Sequence, residues 1–197
     1  MSFRKEKKIR LTVLEFNQLK DLLIDKGMRR LYEKRKISSL YYDTAFLDMF
    51  HHSEEGVLPR KKVRVRWYNS VNKFMVETKT SSVEGRYKTT HSLIQDSLSD
   101  LPKSISDQLY GFLTPSLLVS YERSYFSIGG VRVTFDSLIK YQNFRYSSKV
   151  TFEDPERVVE VKVDINTSDD FIESLIPYAT SRFSKYSRGL LISQSQS

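Results

Sequence analysis

Residues 60–68 read Arg60-Lys61-Lys62-Val63-Arg64-Val65-Arg66-Trp67-Tyr68. Successive side chains of a β-strand point to opposite faces. As a strand this stretch therefore sets Arg60, Lys62, Arg64 and Arg66 on one side and Val63, Val65 and Trp67 on the other. The same sorting recurs outward along the chain. Over 3–11, Arg4, Glu6, Lys8 and Arg10 share a face. Over 73–80, Lys73, Glu77 and Lys79 oppose Phe74 and Val76. Over 130–138, Arg132, Thr134 and Asp136 oppose Val131, Val133 and Phe135, and over 157–165, Glu160, Lys162 and Asp164 oppose Val159, Val161 and Val163. Segments 37–44, 85–92 and 117–127, rich in β-branched and aromatic residues, bring the predicted strands to about eight, enough to close a barrel.

For one strand, a polar face in water and an apolar face on a core explain the pattern. The set asks for more. Glu-x-Lys occurs three times at strand spacing, as Glu6/Lys8, Glu77/Lys79 and Glu160/Lys162. Arginine recurs beside these pairs, and its planar fork matches phosphate oxygens better than lysine does. These features predict an α+β fold: an eight-stranded antiparallel β-barrel with its charged faces lining a central tunnel and helices packed outside. Buried cations require an anion, and one carrying several phosphates satisfies many at once. The glutamates then suit Mg²⁺ or Mn²⁺, which prefer carboxylate oxygens.

Helices are expected at 13–26, 46–54, 103–112 and 169–178. The first opens with Thr12-Val13-Leu14-Glu15, a capping-box pattern, and Gly27 is a natural stop. Turns are expected at Asn69-Ser70-Val71-Asn72 and Gly129-Gly130. The organisation predicted is one domain over 3–190 with a polar tail over 191–197.

Bulk properties narrow the function classes. The 197 residues, 39% hydrophobic, suit one domain with a sizeable core. The absence of cysteine excludes disulfides, thiol catalysis and thiolate zinc sites, and points to a reducing, cytoplasmic setting. No apolar run approaches a membrane span, and the N-terminal residues lack a signal-peptide core. A net charge of +8 calls for an anionic partner. Nucleic acid is the less favoured partner: Trp67, Phe74 and Phe135 fall on the faces opposite the cations, whereas stacking platforms interleave the two. No P-loop pattern is present. His51-His52 reads as part of a solvated helix, the Tyr41-Tyr42 pair as barrel packing, and Ser187-Arg188-Gly189 as a mobile phosphate-contacting segment with Lys185.

In order along the chain, Arg4-x-Glu6-x-Lys8, Ser39-Leu40-Tyr41-Tyr42-Asp43-Thr44, Lys62-Val63-Arg64-Val65-Arg66-Trp67-Tyr68 and Val76-Glu77-Thr78-Lys79 resemble blocks of the VTC domain. Tyr121-Glu122-Arg123, Arg132-Val133-Thr134-Phe135-Asp136, Val159-Glu160-Val161-Lys162 and Ser184-Lys185-Tyr186-Ser187-Arg188-Gly189 continue the resemblance. That family belongs to the triphosphate tunnel metalloenzymes, alongside the CYTH group. Arg4 stands where CYTH proteins carry the first glutamate of Glu-x-Glu-x-Lys, which favours VTC. The resemblance implies a metal-dependent phosphotransferase using ATP or triphosphate and inorganic polyphosphate with Mn²⁺ or Mg²⁺. It implies ATP-dependent polyphosphate polymerisation, with a tripolyphosphatase or a non-catalytic polyphosphate-binding module as alternatives. It implies catalytic roles for Arg64, Arg66, Arg123, Arg132 and Lys185 and phosphate binding by Arg4, Lys8, Lys79, Lys88, Tyr121 and Lys162. Glu160 would be the best metal ligand, with Glu6 and Glu77 as further tunnel carboxylates. The SPX and membrane segments of the eukaryotic complexes have no counterpart among these blocks.

Overall fold

The computed structural model describes residues 4–69, 73–94, 97–145 and 150–194. Its strands are β1 (Arg4–Leu11), β2 (Arg29–Asp43), β3 (Arg60–Tyr68), β4 (Phe74–Ser82), β5 (Gly85–Leu93), β6 (Ile105–Asp107), β7 (Gly111–Ile128), β8 (Val131–Asn143), β9 (Thr151–Glu153) and β10 (Arg157–Asp164). Its helices are α1 (Val13–Asp25), α2 (Asp48–Glu55), α3 (Asp169–Leu175) and α4 (Lys185–Gln194). The main path of the sheet runs β1-β10-β8-β7-β2-β3-β4-β5, the eight strands expected, with β6 added on β7 and β9 on β8. The β1–β10, β10–β8, β2–β3, β3–β4, β4–β5 and β6–β7 ladders are antiparallel. Among the described residues no helix is long and apolar enough to cross a membrane.

The chain divides into two compact units. The first comprises Met1–Lys36, Tyr121–Ile139 and Glu153–Phe183. Its core gathers Ile9 and Leu11, Val131, Val133 and Phe135, and Val159, Val161 and Val163 beneath α1 and α3. These are the apolar halves of the alternations, so the charged halves lie on the other face of the sheet. Thr12 caps α1 as its sequence predicts: its hydroxyl accepts from the Glu15 amide, and the Glu15 carboxylate accepts from the Thr12 amide. The buried stripe of α1 is Phe16, Leu19 and Leu23, while Leu14 faces solvent.

The second unit comprises Ile37–Ser120, Lys140–Phe152 and Ser184–Ser197. Leu40 and Tyr42, Val63, Val65 and Trp67, and Phe74 pack with Met49 of α2 in its core. Again the alternate residues Ser39, Tyr41, Arg64, Arg66 and Glu77 belong to the opposite face.

Several elements differ from the sequence reading. The helix expected at 103–112 is the β6–β7 hairpin. Asp107 Oδ1 accepts from the amides of Leu109 and Tyr110, turning the chain so that Asp107 lies opposite Gly111, whose φ is +73°. An aspartate that captures nearby amides competes with helix formation, and the left-handed Gly111 completes the reversal. Strand β2 begins at Arg29, well before the predicted 37; Arg29–Lys36 is exposed throughout and shows no apolar alternation to read. Among the described residues β3 pairs with residues 37–42 of β2, and charged side chains along the exposed segment 29–36 protect it against unwanted pairing. The Ser187-Arg188-Gly189 segment is helical, within α4, and that helix runs to Gln194, into the expected tail. The predicted turn at 69–72 and the tail at 195–197 lie wholly or partly outside the described residues.

Helix α4 is seated through a glycine. A Cβ added at Gly189 would stand 2.7 Å from Leu117 Cδ2 and closer still to Tyr141 Cδ1, both side chains being fully buried. Gly189→Ala is therefore expected to destabilise the protein by about 1–3 kcal/mol through overpacking. Thermal unfolding of the variant checks this; helix propensity alone would have raised its melting temperature.

Candidate functional site

In the second unit, strand register assembles a charged face. Tyr41 of β2 lies opposite Arg64 of β3, which lies opposite Glu77 of β4. One step along, Lys62 of β3, Lys79 of β4 and Lys88 of β5 form a row across three adjacent strands. Like charges placed directly opposite are destabilising, so this row favours a polyanion. Glu77 is the one carboxylate in the group and is 3% exposed. Its Oε2 accepts from Arg64 Nε at 2.8 Å and Nη2 at 2.5 Å and lies 3.6 Å from Arg66 Nη1; its Oε1 accepts from Lys88 Nζ at 2.5 Å. Burial pushes the Glu77 carboxyl upward, but Arg64, Arg66 and the Lys88 hydrogen bond overcome this and hold it at about 2.

Tyr41 stands in the same field. Its hydroxyl accepts from Arg64 Nη1 at 2.9 Å, and its ring stacks on Tyr186 of α4 with centroids 4.8 Å apart. Burial raises its hydroxyl, yet Arg64, Arg66 and Lys62 draw it down to about 7. Arg66 Nε donates to Ser39 Oγ at 3.1 Å, and Lys62 Nζ donates to Ser184 Oγ at 2.8 Å. Ser184 also accepts from the Ser187 amide at the start of α4, where Lys185 is the first helical residue. Tyr186 donates to buried Asp43 at 2.5 Å, and Asp43 also accepts from the amides of Thr44, Met49 and Phe50. The start of α4, which carries Lys185, is thus tied to β2 and α2.

In the first unit the Glu-x-Lys pairs of β1 and β10 are reciprocal: Glu6 lies opposite Lys162, and Lys8 opposite Glu160. Lys162 Nζ is 2.8 Å from Glu160 Oε1 and 3.8 Å from Glu6 Oε2. Lys8 Nζ is 3.4 Å from Glu6 Oε1 and donates to the Phe183 carbonyl at 3.0 Å. Arg123 of β7 makes a two-pronged pair with fully buried Asp136 of β8 at 2.6 and 2.7 Å, and its Nη2 also reaches Glu160 at 3.4 Å. Burial would raise the Glu160 carboxyl, but Arg123 and Lys162 hold it well below the ordinary carboxylate range. Tyr121 lies under the Arg123 guanidinium, 5.3 Å from it. Arg132 is exposed, opposite Lys162, and the two line a polar cavity of about 380 Å³ with Leu31, Ser127 and Asp164. The side chain of Arg4 lies outside the described residues.

Among the described residues no three acidic or histidine side chains gather as a ready-made metal cage. Glu6 and Glu160 nevertheless converge on one ammonium group, offering two hard-oxygen donors. That set fits Mg²⁺ or Mn²⁺, which are commonly held by one or two carboxylates together with phosphate oxygens and water. Cations approach both oxygens of all three glutamates, but Glu77 accepts three contacts at 2.5–2.8 Å whereas those to Glu6 and Glu160 run from 2.8 to 3.8 Å, so Glu77 fits this role less well.

The structure thus brings Arg64, Arg66, Lys79, Lys88 and Glu77 together in one unit, and Lys8, Glu6, Arg123, Arg132, Tyr121, Glu160 and Lys162 together in the other. Sequence reasoning had Asp136 on a charged face, Ser184 in a resembling block and Tyr41 as barrel packing, but not their contacts with Arg123, Lys62 and Arg64. Both tyrosines are packed, Tyr42 at 1% and Tyr41 at 7% exposure, but Tyr41 in addition lies directly opposite Arg64. His52 is bonded to the Tyr110 hydroxyl at 2.9 Å.

The fold matches solved structures along nearly the whole chain. A candidate adenylate cyclase from Bacillus halodurans superposes with a TM-score of 0.57 at 13% identity, covering 93% of this chain and 94% of its own. A candidate adenylate cyclase from Vibrio parahaemolyticus gives 0.54 at 15% identity over 96% and 98%. A candidate adenylyl cyclase from Hippeastrum, described as having a dominant triphosphatase activity, gives 0.54 at 15% identity over 93% of each chain. No curated protein sequence matches the chain. These likenesses define the fold class, an α+β protein built on a largely antiparallel sheet with eight strands on its main path. Within that class the VTC domain model matches residues 3–193, and the chain belongs to the VTC domain family.

Two measurements check the electrostatics. Ultraviolet titration of the ligand-free protein is expected to show one tyrosine ionising near pH 7 that is absent in Tyr41→Phe. Glu77→Gln, which leaves buried Arg64 without its counter-charge, is expected to lose about 3 kcal/mol of stability. Because the Glu77 carboxyl is depressed, its contribution is full above the unfolded value and fades as pH falls toward about 2. Unfolding curves of parent and variant should therefore converge in acid.

Proposed function

We propose that this chain is a metal-dependent phosphotransferase acting on triphosphate or polyphosphate, and specifically an ATP-dependent polyphosphate polymerase. The observation that carries this reading is the row Lys62, Lys79 and Lys88 beside Arg64 and Arg66: five cations on one sheet face with Glu77 as the carboxylate among them. Phosphoryl transfer asks chiefly for positioning and charge neutralisation. A condensed phosphate chain, with negative charge at every phosphorus, suits a cross-strand row of ammonium groups better than a single phosphate does.

In this reading Arg64 and Arg66 bind non-bridging oxygens, and Glu77 aims both guanidinium groups without itself contacting substrate. Lys62, Lys79 and Lys88 bind successive phosphates. Lys185 adds a cation from the start of α4. In the first unit Glu160 and Glu6 hold the divalent ion, which when bound supplies further neutralisation of phosphate oxygens. Lys162, Lys8, Arg123 and Arg132 bind phosphate beside it, with Asp136 keeping the Arg123 fork in place. Polymerisation follows when the terminal oxygen of a polyphosphate chain displaces ADP at the γ-phosphorus of ATP. The second reading, a tripolyphosphatase in which water is the nucleophile, is supported by the triphosphatase activity described for the Hippeastrum protein. The cytoplasm, where ATP is available, is the setting this function requires.

Purified protein incubated with ATP and Mn²⁺ is expected to form long polyphosphate and ADP, and Glu160→Gln to lower the rate on the order of 10²-fold. Gel electrophoresis of the polymer and an ADP assay read the outcome. Phosphate release from tripolyphosphate without polymer would select the hydrolase, and silence with both substrates would reject both forms.

A further inference from the structure

Among the described residues three buried hydroxyl oxygens make no hydrogen bond: Thr134 Oγ1, Ser181 Oγ and Ser187 Oγ. Thr134 is distinguished by its place. It is 2% exposed on β8, between Arg132 and Asp136 in the alternation that carries the charges, and directly opposite Glu160 of β10. A buried hydroxyl without a partner is costly, and replacing it by a methyl group of the same shape removes that cost. Valine would fill this position equally well and suits a strand at least as well; β8 uses it at Val131 and Val133. Packing therefore gives no reason for the oxygen.

The carboxylates around Thr134 are already engaged. Arg123 holds Asp136 with two hydrogen bonds, and Lys162 and Arg123 occupy Glu160. The threonine O–H is a donor set in a cationic surrounding, and a hydroxyl can supply the hydrogen bond that a phosphate oxygen accepts. We propose that Thr134 is a substrate-binding residue whose Oγ1 donates to a non-bridging phosphate oxygen of the polyphosphate substrate beside Glu160. The inference rests on the reading of this chain as a polyphosphate-binding enzyme and names one of its contacts.

The test compares the parent protein with Thr134→Val and Thr134→Ser. Ligand-free thermal melting is measured, together with calorimetric titration by tripolyphosphate with and without Mn²⁺. The valine variant is expected to melt no lower than the parent and to bind tripolyphosphate about tenfold more weakly, the loss of one hydrogen bond to a charged group. The serine variant, which keeps the hydroxyl, should bind within about twofold of the parent. Parent-like affinity of the valine variant overturns the proposal while leaving the enzyme reading intact. A lower melting temperature for the valine variant also overturns it, since the hydroxyl would then have a structural partner. Failure of the parent itself to bind tripolyphosphate rejects the enzyme reading, and this contact with it.

Discussion

An arginine side chain that is nearly buried in a folded sheet must find opposite charge within the protein, because desolvating an unpaired guanidinium is far more costly than any packing it gains. Arg64 meets that constraint through Glu77, and much of the second unit follows from the solution. The pair lies on directly opposed positions of β3 and β4, so the register of those strands and the ion pair enforce each other. Arg66 and Lys88 share the same carboxylate. Glu77 is thereby committed to holding cations, and Tyr41 is brought under a field that draws its hydroxyl toward ionisation.

The first unit solves a related problem differently. On its charged face Lys8, Lys162, Arg123 and Arg132 are accompanied by Glu6, Glu160 and Asp136, so charge nearly balances. Reciprocal Glu-x-Lys pairs on antiparallel strands place each carboxylate opposite an ammonium group. The two faces are chemically distinct: one holds surplus positive charge, the other carboxylate oxygens that converge on a shared cation. Both kinds of surface come from the same strand alternation.

The seating of α4 shows how the position of a charged side chain depends on packing that has no chemistry of its own. Ser184, Tyr186 and Gly189 respectively receive Lys62, reach Asp43 and admit the ring of Tyr141. Asp43, with burial raising its carboxyl, is bound by three amides as well as by Tyr186. Lys185 takes its position from these neighbours.

The sequence by itself determined the sorting of charges, because strand alternation is a property of local backbone geometry and needs no partner to be read. Val63, Val65 and Val159, Val161, Val163 announced the buried faces, and Arg64, Arg66, Glu160 and Lys162 the charged ones. Thr12 and Glu15 likewise announced the start of α1, since a cap is made within four residues. What only the tertiary structure decided were pairings between distant positions. That Glu77 pairs with an arginine depends on the strand beside it, and that Tyr41, besides packing, accepts from a guanidinium depends on the strand opposite. The β6–β7 hairpin is turned locally by Asp107 and Gly111 and anchored at a distance by the Asp107 pair with Lys61, whereas α4 is seated against a residue far away in sequence, Gly189 against Tyr141. Periodicity tells which way a side chain faces, but only the folded sheet supplies what it faces.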